Sequence, residues 1–252
     1  MARVIAISSG KGGVGKTTVV SNLATSLAKM GHSVVAIDSN LTTSNLGLHL
    51  GIHLYPTTLH DVLEGKADLK DAIYPHNSGF RIIPADISLR KMKDVKSHEY
   101  MEIFDKLMIS SDFILVDCAA GLGKEAVTAI RAADEMIVVT NPELPAVTEA
   151  LKLSFVANKN ETRNLGVVIN RVKNESHELP AKYIEDMLNV PVLGKVPEDK
   201  EVRKSIAMKQ PIVLYSPKSP AAQHLKSVAA TITGEKYEPK VSVSYRLFSW
   251  LR

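Results

Sequence analysis

Short apolar runs alternate with amphipathic stretches along the 252-residue chain. The first run, residues 3–8, is rich in branched side chains, and apolar residues then recur at helical spacing from Val19 up to Gly31. Such runs are typical of strands that are buried on both faces of a parallel sheet. Further strand-like runs occupy residues 33–38, 80–85, 113–117, 135–140, 165–170 and 191–197. The alternation predicts one α/β domain over residues 1–234, with a mostly parallel twisted sheet and helices on both faces.

A glycine-rich segment joins the first predicted strand to the first predicted helix. Residues 10–17, GKGGVGKT, match the phosphate-loop pattern G-x-x-x-x-G-K-[ST]. In this loop, backbone N–H groups and the helix N terminus bind phosphate oxygens, the lysine contacts the terminal phosphates and the hydroxyl binds Mg²⁺. The context therefore predicts a P-loop NTPase domain. The predicted phosphate-binding residues are Gly10, Lys11, Gly12, Gly13, Val14, Gly15, Lys16, Thr17 and Thr18.

Two aspartates end predicted strands, at the edge of the sheet where α/β proteins bind ligands. Asp117 ends the run FILVD, and an acid there can hold the water shell of a Mg²⁺ ion. Asp38 ends the run VVAID, where the following loop could sense the terminal phosphate. Either aspartate could instead cap a helix. Together with the phosphate loop they predict a site for nucleotide hydrolysis or switching, with Thr17, Asp38 and Asp117 as the metal-binding residues.

These motifs resemble those of the ParA/MinD superfamily of P-loop ATPases, and most of all those of the archaeal MinD-like proteins. The segments that carry the resemblance are KGGVGKTT (11–18), DCAAGLG (117–123), TNPE (140–143), VINR (168–171) and VPED (196–199). The resemblance extends from residue 2 to about residue 230 and resumes at the C-terminal tip. It implies an ATPase that uses ATP or ADP with Mg²⁺ and forms a homodimer with ATP.

The resemblance also implies roles for single residues. Lys11 matches the signature lysine, which reaches phosphates bound by the other subunit of the dimer, where a second cation offsets the charge of phosphoryl transfer. Asn170 resembles the residue that reads adenine, and Glu143 resembles one near the dimer interface and the nucleotide. Each could instead be an ordinary polar residue at the end of a strand. The residues implied to complete the adenine pocket are Arg171, Pro197, Glu198 and Asp199.

The sequence departs from the superfamily pattern at the end of the second predicted strand. The usual D-x-D is Asp38-Ser39-Asn40 here, and the second acid normally orients the attacking water. Asparagine can hold a water molecule but cannot accept its proton, so slow turnover and a long-lived ATP-bound dimer are expected. A scaffold that binds ATP without hydrolysis and an introduced substitution are alternatives. The candidate catalytic residues are Lys11, Lys16, Asp38 and Asn40.

The C-terminal end of the chain differs in character from the rest. Residues 235–243 lack helical periodicity and contain Pro239, which predicts a linker. On a helix, residues 244–252 would place an apolar side opposite two arginines, as in helices that lie at a membrane surface, and they match the membrane-targeting sequence of MinD. The same stripe could instead pack on the protein or form a short edge strand. The predicted membrane-contacting residues are Leu247, Phe248, Trp250 and Leu251.

Composition narrows the function and the location. The net charge of +4 permits contact with acidic lipid or DNA. The single cysteine, Cys118, excludes a disulfide framework and argues against an Fe–S carrier, which holds its cluster with paired cysteines. No signal peptide is expected, and no apolar run approaches the roughly 18 residues of a membrane span. A cytoplasmic protein, peripheral on the inner face of the cell membrane, is expected.

The leading functional prediction is an ATP-dependent dimeric switch that binds the membrane reversibly and positions a cellular machine, at the division site or in a polar motility or chemosensory assembly. Its partner would be a regulatory or cargo protein that the sequence does not identify. The alternative is a ParA-like partition ATPase that holds DNA nonspecifically. Residues 89–96, LRKMKDVK, are the dense basic cluster that such binding would use, although a run of this kind is more often a solvated helix face.

Overall fold

The computed structural model describes residues 2–52, 54–87 and 95–239, and within these ranges strands alternate with helices. The strands are β1 (Arg3–Ser9), β2 (Val34–Asp38), β3 (Tyr74–Pro75), β4 (Arg81–Ile83), β5 (Phe113–Ala120), β6 (Glu135–Thr140), β7 (Arg163–Val172) and β8 (Val192–Pro197). The helices are α1 (Lys16–Lys29), α2 (Leu46–His49), α3 (Leu59–Leu63), α4 (Ser97–Met108), α5 (Lys124–Ala132), α6 (Leu144–Lys159), α7 (Ala181–Leu188), α8 (Lys200–Ala207), α9 (Ile212–Tyr215) and α10 (Pro220–Thr233), with a 3₁₀ turn at Leu69–Ala72. The predicted α/β class is confirmed.

The described strands form one sheet in the order β3-β4-β2-β5-β1-β6-β7-β8. All neighbouring pairs are parallel except β3 and β4, so the mostly parallel sheet is also confirmed. The two-residue strand β3 was not predicted; it lies at the edge of the sheet, where a proline without an N–H group is tolerated. Since β1 lies between β5 and β6, the loop that follows it emerges at the centre of the carboxyl edge.

Two hydrophobic layers cover the two faces of the sheet. Successive residues of β1 alternate between them, with Val4 and Ala6 in one layer and Ile5 and Ile7 in the other. Helices α3 to α7 contribute to the first layer, and α1, α2, α9 and α10 contribute to the second. Because both faces are buried, the strands are apolar at almost every position, which is why they read as continuous apolar runs.

Several predicted boundaries shift by a few residues. The strand predicted at 80–85 spans Arg81–Ile83, whereas the strand predicted at 113–117 continues to Ala120. Helix α1 ends as expected near Gly31, which has a φ of 97° in the region that glycine favours. Residues 235–239 contain no helix or strand. The rest of the predicted linker, the terminal segment 244–252 and most of the basic cluster at 89–96 lie outside the described residues.

Candidate functional site

A cleft of about 520 Å³ opens at the carboxyl edge of the sheet, a size within the ~300–1,000 Å³ usual for small-molecule sites. On one side it is lined by the predicted phosphate loop and the start of α1, through Gly12, Gly13, Gly15, Lys16, Thr17 and Thr18. On the other side it is lined by the segment after β2 and by α5, through Asn40, Thr42, Thr43, Asn45 and Glu125. The cleft therefore joins residues that are far apart in the sequence.

The backbone of the phosphate loop depends on two glycines. Gly13 and Gly15 have φ angles of 80° and 95°, and a Cβ on Gly15 would overlap the side-chain amide of Asn170. Helix α1 begins directly at Lys16, and its N-cap residue has no side chain to bond the free N–H groups of the first turn. Those N–H groups, at the start of a 14-residue helix, suit an anionic ligand such as phosphate.

A buried ion pair lies at the base of the cleft. Lys16 Nζ is 2.5 Å from Asp117 Oδ1, and the two side chains are 8% and 1% exposed. Burial lowers the pKa of Lys16, but attraction and hydrogen bonding to Asp117 outweigh it, so the pKa is raised above its ordinary value. The other oxygen, Asp117 Oδ2, has no hydrogen-bond partner among the described residues. An orphaned buried carboxylate oxygen fits a Mg²⁺ ion or a water bound to it, and Thr17, the other predicted metal-binding residue of this region, lines the cleft.

The second aspartate, Asp38, anchors the loop after β2. It is paired with Asp117 in the register of β2 and β5, and burial together with that neighbouring carboxylate raises the pKa of Asp38 to about 7. Hydrogen bonds from the Leu46 N–H and the Ser44 hydroxyl, at 3.0 and 2.9 Å, favour the ionised form and limit the rise. Asp38 therefore lies beneath the loop and does not line the cleft itself.

Asn40 lines the cleft and closes a short turn on its wall. Its Nδ2 donates to the carbonyl oxygen of Thr43 at 2.7 Å, and its Oδ1 accepts from the Thr43 hydroxyl at 3.0 Å. The side chain predicted to orient water is therefore also part of the structure of its own loop.

A second cavity, of about 60 Å³, adjoins the phosphate loop at Gly15. All five residues predicted for the adenine pocket line it: Asn170, Arg171, Pro197, Glu198 and Asp199. The side-chain amide of Asn170 donates to the carbonyl oxygen of Val14 at 2.7 Å. The predicted base-reading residue is thus tied directly to the phosphate loop.

Two more predicted residues, Lys11 and Glu143, also lie away from the cleft of about 520 Å³. Lys11 is exposed and is not among the residues that line the cleft; the Ser9 hydroxyl donates to its carbonyl oxygen at 3.0 Å. Glu143, the residue that caps the start of α6, lines a separate cavity of about 150 Å³ together with Arg171 and Glu198. The predicted membrane-contacting residues at 247–251 lie outside the described residues.

Glu125, in the first turn of α5, lines the cleft but is not among the residues that the sequence predicts for the site. Its carboxylate accepts hydrogen bonds from Leu41 and Thr42, which lie more than 80 residues earlier in the chain. No motif marks this glutamate. The one available signal is its position in the helix that follows the Asp117 strand, close to the carboxyl edge where ligands bind.

The surroundings of Cys118 argue against an Fe–S carrier, and the described helices do not meet the requirements of a membrane span. The Cys118 side chain is completely buried, and burial raises the pKa of its thiol to about 12, so this residue is unsuited to holding a cluster between subunits. Over residues 2–52, 54–87 and 95–239, no helix combines the length and the hydropathy that crossing a membrane requires.

A glycine loop that leads from a central parallel strand into a helix N terminus, above a buried lysine–aspartate pair, defines a P-loop nucleotide-binding protein. Comparison with known families makes the assignment narrower. Residues 5–212 match the CobQ/CobB/MinD/ParA nucleotide binding domain. The chain belongs to this family of P-loop ATPases, which confirms the superfamily that the motifs indicate.

Individual relatives agree with this assignment. The chain is 46% identical over 241 residues to an uncharacterized ATP-binding protein of Methanocaldococcus jannaschii, covering 96% of this chain and 91% of that protein. It is 38% identical to the septum site-determining protein MinD of Pyrococcus horikoshii, solved with Mg-ADP, with a TM-score of 0.87 over 92% of this chain and 96% of that one. It is 30% identical to a chain of the MinC:MinD cell division complex of Aquifex aeolicus, with a TM-score of 0.84 over 95% and 99% of the two chains.

Proposed function

We propose that this protein is an ATP-dependent dimeric switch that hydrolyses ATP slowly and docks reversibly on the inner face of the membrane, where it positions a cellular machine. The observation that carries the proposal is the contrast between two lysines of one loop. Lys16 is buried and paired with Asp117, whereas Lys11 is exposed and does not line its own cleft. An exposed lysine at the rim is available to phosphates that a second copy binds, which is the role that the resemblance implies.

Within one subunit the geometry supports phosphate binding and charge stabilisation. The free N–H groups at the start of α1 and the ammonium group of Lys16 would hold the phosphates, and these donors are already in place before the reaction begins. Mg²⁺, held through Thr17 and Asp117, would neutralise phosphate charge. Asn170 and the residues around it would provide polar groups to the base. The Mg-ADP in the Pyrococcus horikoshii structure supports this choice of ligands.

Slow hydrolysis is proposed because the wall of the cleft presents Asn40 where related sequences have an acid. An amide can position water but cannot take its proton, so positioning alone contributes to the rate. We expect Asn40→Asp to raise the single-turnover rate of ATP hydrolysis. A rate that stays at the wild-type level, in a variant whose loop is as ordered as in the wild type, would contradict this part of the proposal.

Membrane docking and partner binding rest on the resemblance of residues 244–252 and on the relatives. MinD of Aquifex aeolicus forms a complex with MinC, which supports a protein partner for this chain as well. The division site and a polar motility or chemosensory assembly are both compatible with such a switch. Two weakly binding terminal helices on one dimer would bind a membrane with avidity, so ATP would control attachment.

The deciding experiment is co-sedimentation with acidic phospholipid vesicles, using the full chain and residues 1–234 with ATP, with ADP and without nucleotide. We expect only the full chain to pellet, and preferentially with ATP. Lys11→Ala is the matched control, because it keeps the cleft-lining residues but should lose the ATP-dependent increase. If neither chain pellets and the ATP form instead binds DNA with steep salt dependence, the partition ATPase replaces the membrane switch.

A further inference from the structure

The loop after β2 is held from two sides by carboxylates. Asp38, below it, accepts hydrogen bonds from the N–H groups of Asn40, Asn45 and Leu46 at 3.2, 3.0 and 3.0 Å. Glu125, from the side of α5, accepts from the N–H group of Leu41 and from that of Thr42. This segment is not in a sheet or a helix up to residue 45, so these side chains replace the partners that secondary structure would supply.

Both oxygens of Glu125 take part in this contact. Oε1 accepts from the Leu41 N–H and, at 3.2 Å, from the Thr42 N–H, while Oε2 accepts from the Thr42 hydroxyl at 3.0 Å. Of the described residues that line the cleft, Glu125 is the one that carries a carboxylate. It lies four residues after Gly121, in the helix that follows the strand of Asp117. Glu125 therefore connects the two segments that leave the strands of Asp38 and Asp117.

We propose that Glu125 is a positioning residue for ATP hydrolysis, which fixes the backbone of Leu41 and Thr42 and thereby the direction in which Asn40 faces the cleft. The proposal rests on the proposed function, because it concerns the rate of that reaction. Both oxygens of Glu125 accept hydrogen bonds from the loop, so we assign this carboxylate to holding the loop and not to the role of the base. Asn40, which cannot take a proton, depends on its placement alone, so the residue that holds its backbone controls its contribution.

Three substitutions separate positioning from proton transfer. Glu125→Gln keeps the length of the side chain and one acceptor oxygen, so it should retain the bonds to Leu41 and Thr42 but cannot accept a proton. Glu125→Ala removes the contact. Glu125→Asp keeps the charge but is one methylene shorter, so it should behave like the alanine variant. Glu102→Ala, on an exposed position of α4, is the matched control for removing a carboxylate.

Hydrogen exchange of a peptide covering residues 39–46 measures the loop directly in the nucleotide-free protein. We expect Glu125→Ala to accelerate exchange at Leu41 and Thr42 by about tenfold, and Glu125→Gln by less than about threefold, because the acceptor oxygen is lost in the alanine variant only. Single-turnover hydrolysis should follow the same order, falling about tenfold in Glu125→Ala, while the affinity for a fluorescent ATP analogue changes by less than about threefold.

The outcomes distinguish this inference from the proposed function. Unchanged exchange in Glu125→Ala would overturn the inference, as would an equal loss of turnover in the glutamine and alanine variants, since that result marks a proton acceptor. If the wild type binds the ATP analogue but shows no turnover, the proposed hydrolysis fails, and so does a role for Glu125 in its rate. The inference is supported if the wild type hydrolyses ATP, Glu125→Ala shows slower hydrolysis and faster hydrogen exchange of the loop, and Glu125→Gln stays close to the wild type in both measurements.

Discussion

Gly10, the first residue of the phosphate loop, should be intolerant of any side chain for a reason visible in the packing. A Cβ built on Gly10 lies 2.5 Å from the carbonyl carbon of Glu149 and 2.8 Å from its oxygen, which are backbone atoms of helix α6. A Cβ on Gly12, two residues later, meets no atom within 4 Å. Neither glycine has a positive φ, so the two alanine substitutions differ in packing and not in backbone strain.

The magnitude follows from the kind of atom that must move. Overpacking a core costs typically ~1–3 kcal/mol, and the upper end applies to Gly10→Ala because a helix backbone cannot rotate away as a side chain can. For Gly12→Ala we expect the free energy of unfolding to stay the same or to rise by up to about 0.4–1 kcal/mol, because alanine reduces the entropy of the unfolded chain. At about 2–4 °C for each kcal/mol in a protein of this size, Gly10→Ala should melt ~6–12 °C below the wild type.

The assay is urea unfolding and thermal melting of the nucleotide-free wild type and both variants, with circular dichroism to show that each is folded. Stability is the readout because both glycines belong to the loop, so that a loss of ATP binding alone would not separate packing from contact with phosphate. If Gly10→Ala is as stable as Gly12→Ala, the phosphate loop does not pack against α6 as described, and the reasoning fails.

Three further predictions concern buried ionisable groups. Lys16→Ala leaves Asp38 and Asp117 side by side without a neighbouring cation. The free energy of unfolding should fall by ~3–5 kcal/mol at pH 7.5 and by much less at pH 5.5, where one carboxylate of the pair binds a proton. Equal losses at both pH values in urea unfolding would contradict this prediction. Burial lowers the pKa of His60, so below the ordinary pKa near 6.5 the unfolded chain binds a proton at this residue that the native protein does not bind. The free energy of unfolding should therefore decrease as the pH falls. His60→Asn should reduce the slope of the free energy of unfolding against pH by up to about 1.4 kcal/mol per pH unit, and an unchanged slope would refute this prediction. Cys118 should react with a thiol reagent only as fast as the protein unfolds, and fast labelling in native buffer would show that its burial is wrong.

The phosphate loop and the class of fold are predictable from the sequence because both are local. Residues 10–17 fix their own backbone through glycine and through the strand and helix on either side. The parallel sheet follows from the alternation of apolar runs with helical stretches. The antiparallel strand β3 could not be predicted, because two residues carry no periodicity and Tyr74–Pro75 becomes a strand only by pairing with β4.

The detailed chemistry of the site depends on pairings that no short pattern records. The sequence places Asp38 and Asp117 at strand ends, but only the strand order makes β2 and β5 neighbours and brings the two carboxylates together. The shift in the pKa of Asp38 follows from that proximity and from burial. Glu125 is even less predictable, because a single glutamate in an amphipathic helix is usually a solvated residue. Only the folded structure shows its hydrogen bonds with Leu41 and Thr42.

The same contacts change how the asparagine at position 40 should be understood. In the sequence alone, Asn40 is a neutral residue at a position where the superfamily pattern has an acid. In the folded loop, its side-chain amide N–H donates to the carbonyl oxygen of Thr43 at 2.7 Å. A carboxylate there would face that carbonyl without a proton to share, and it would add a negative charge to a loop already held by Asp38 and Glu125. Asn40→Asp therefore combines a gain in chemistry with a looser loop, and hydrogen exchange of residues 39–46 has to accompany its rate. A faster rate despite faster exchange would show that the missing acid outweighs positioning; a slower rate with faster exchange would show that this loop is built around an amide.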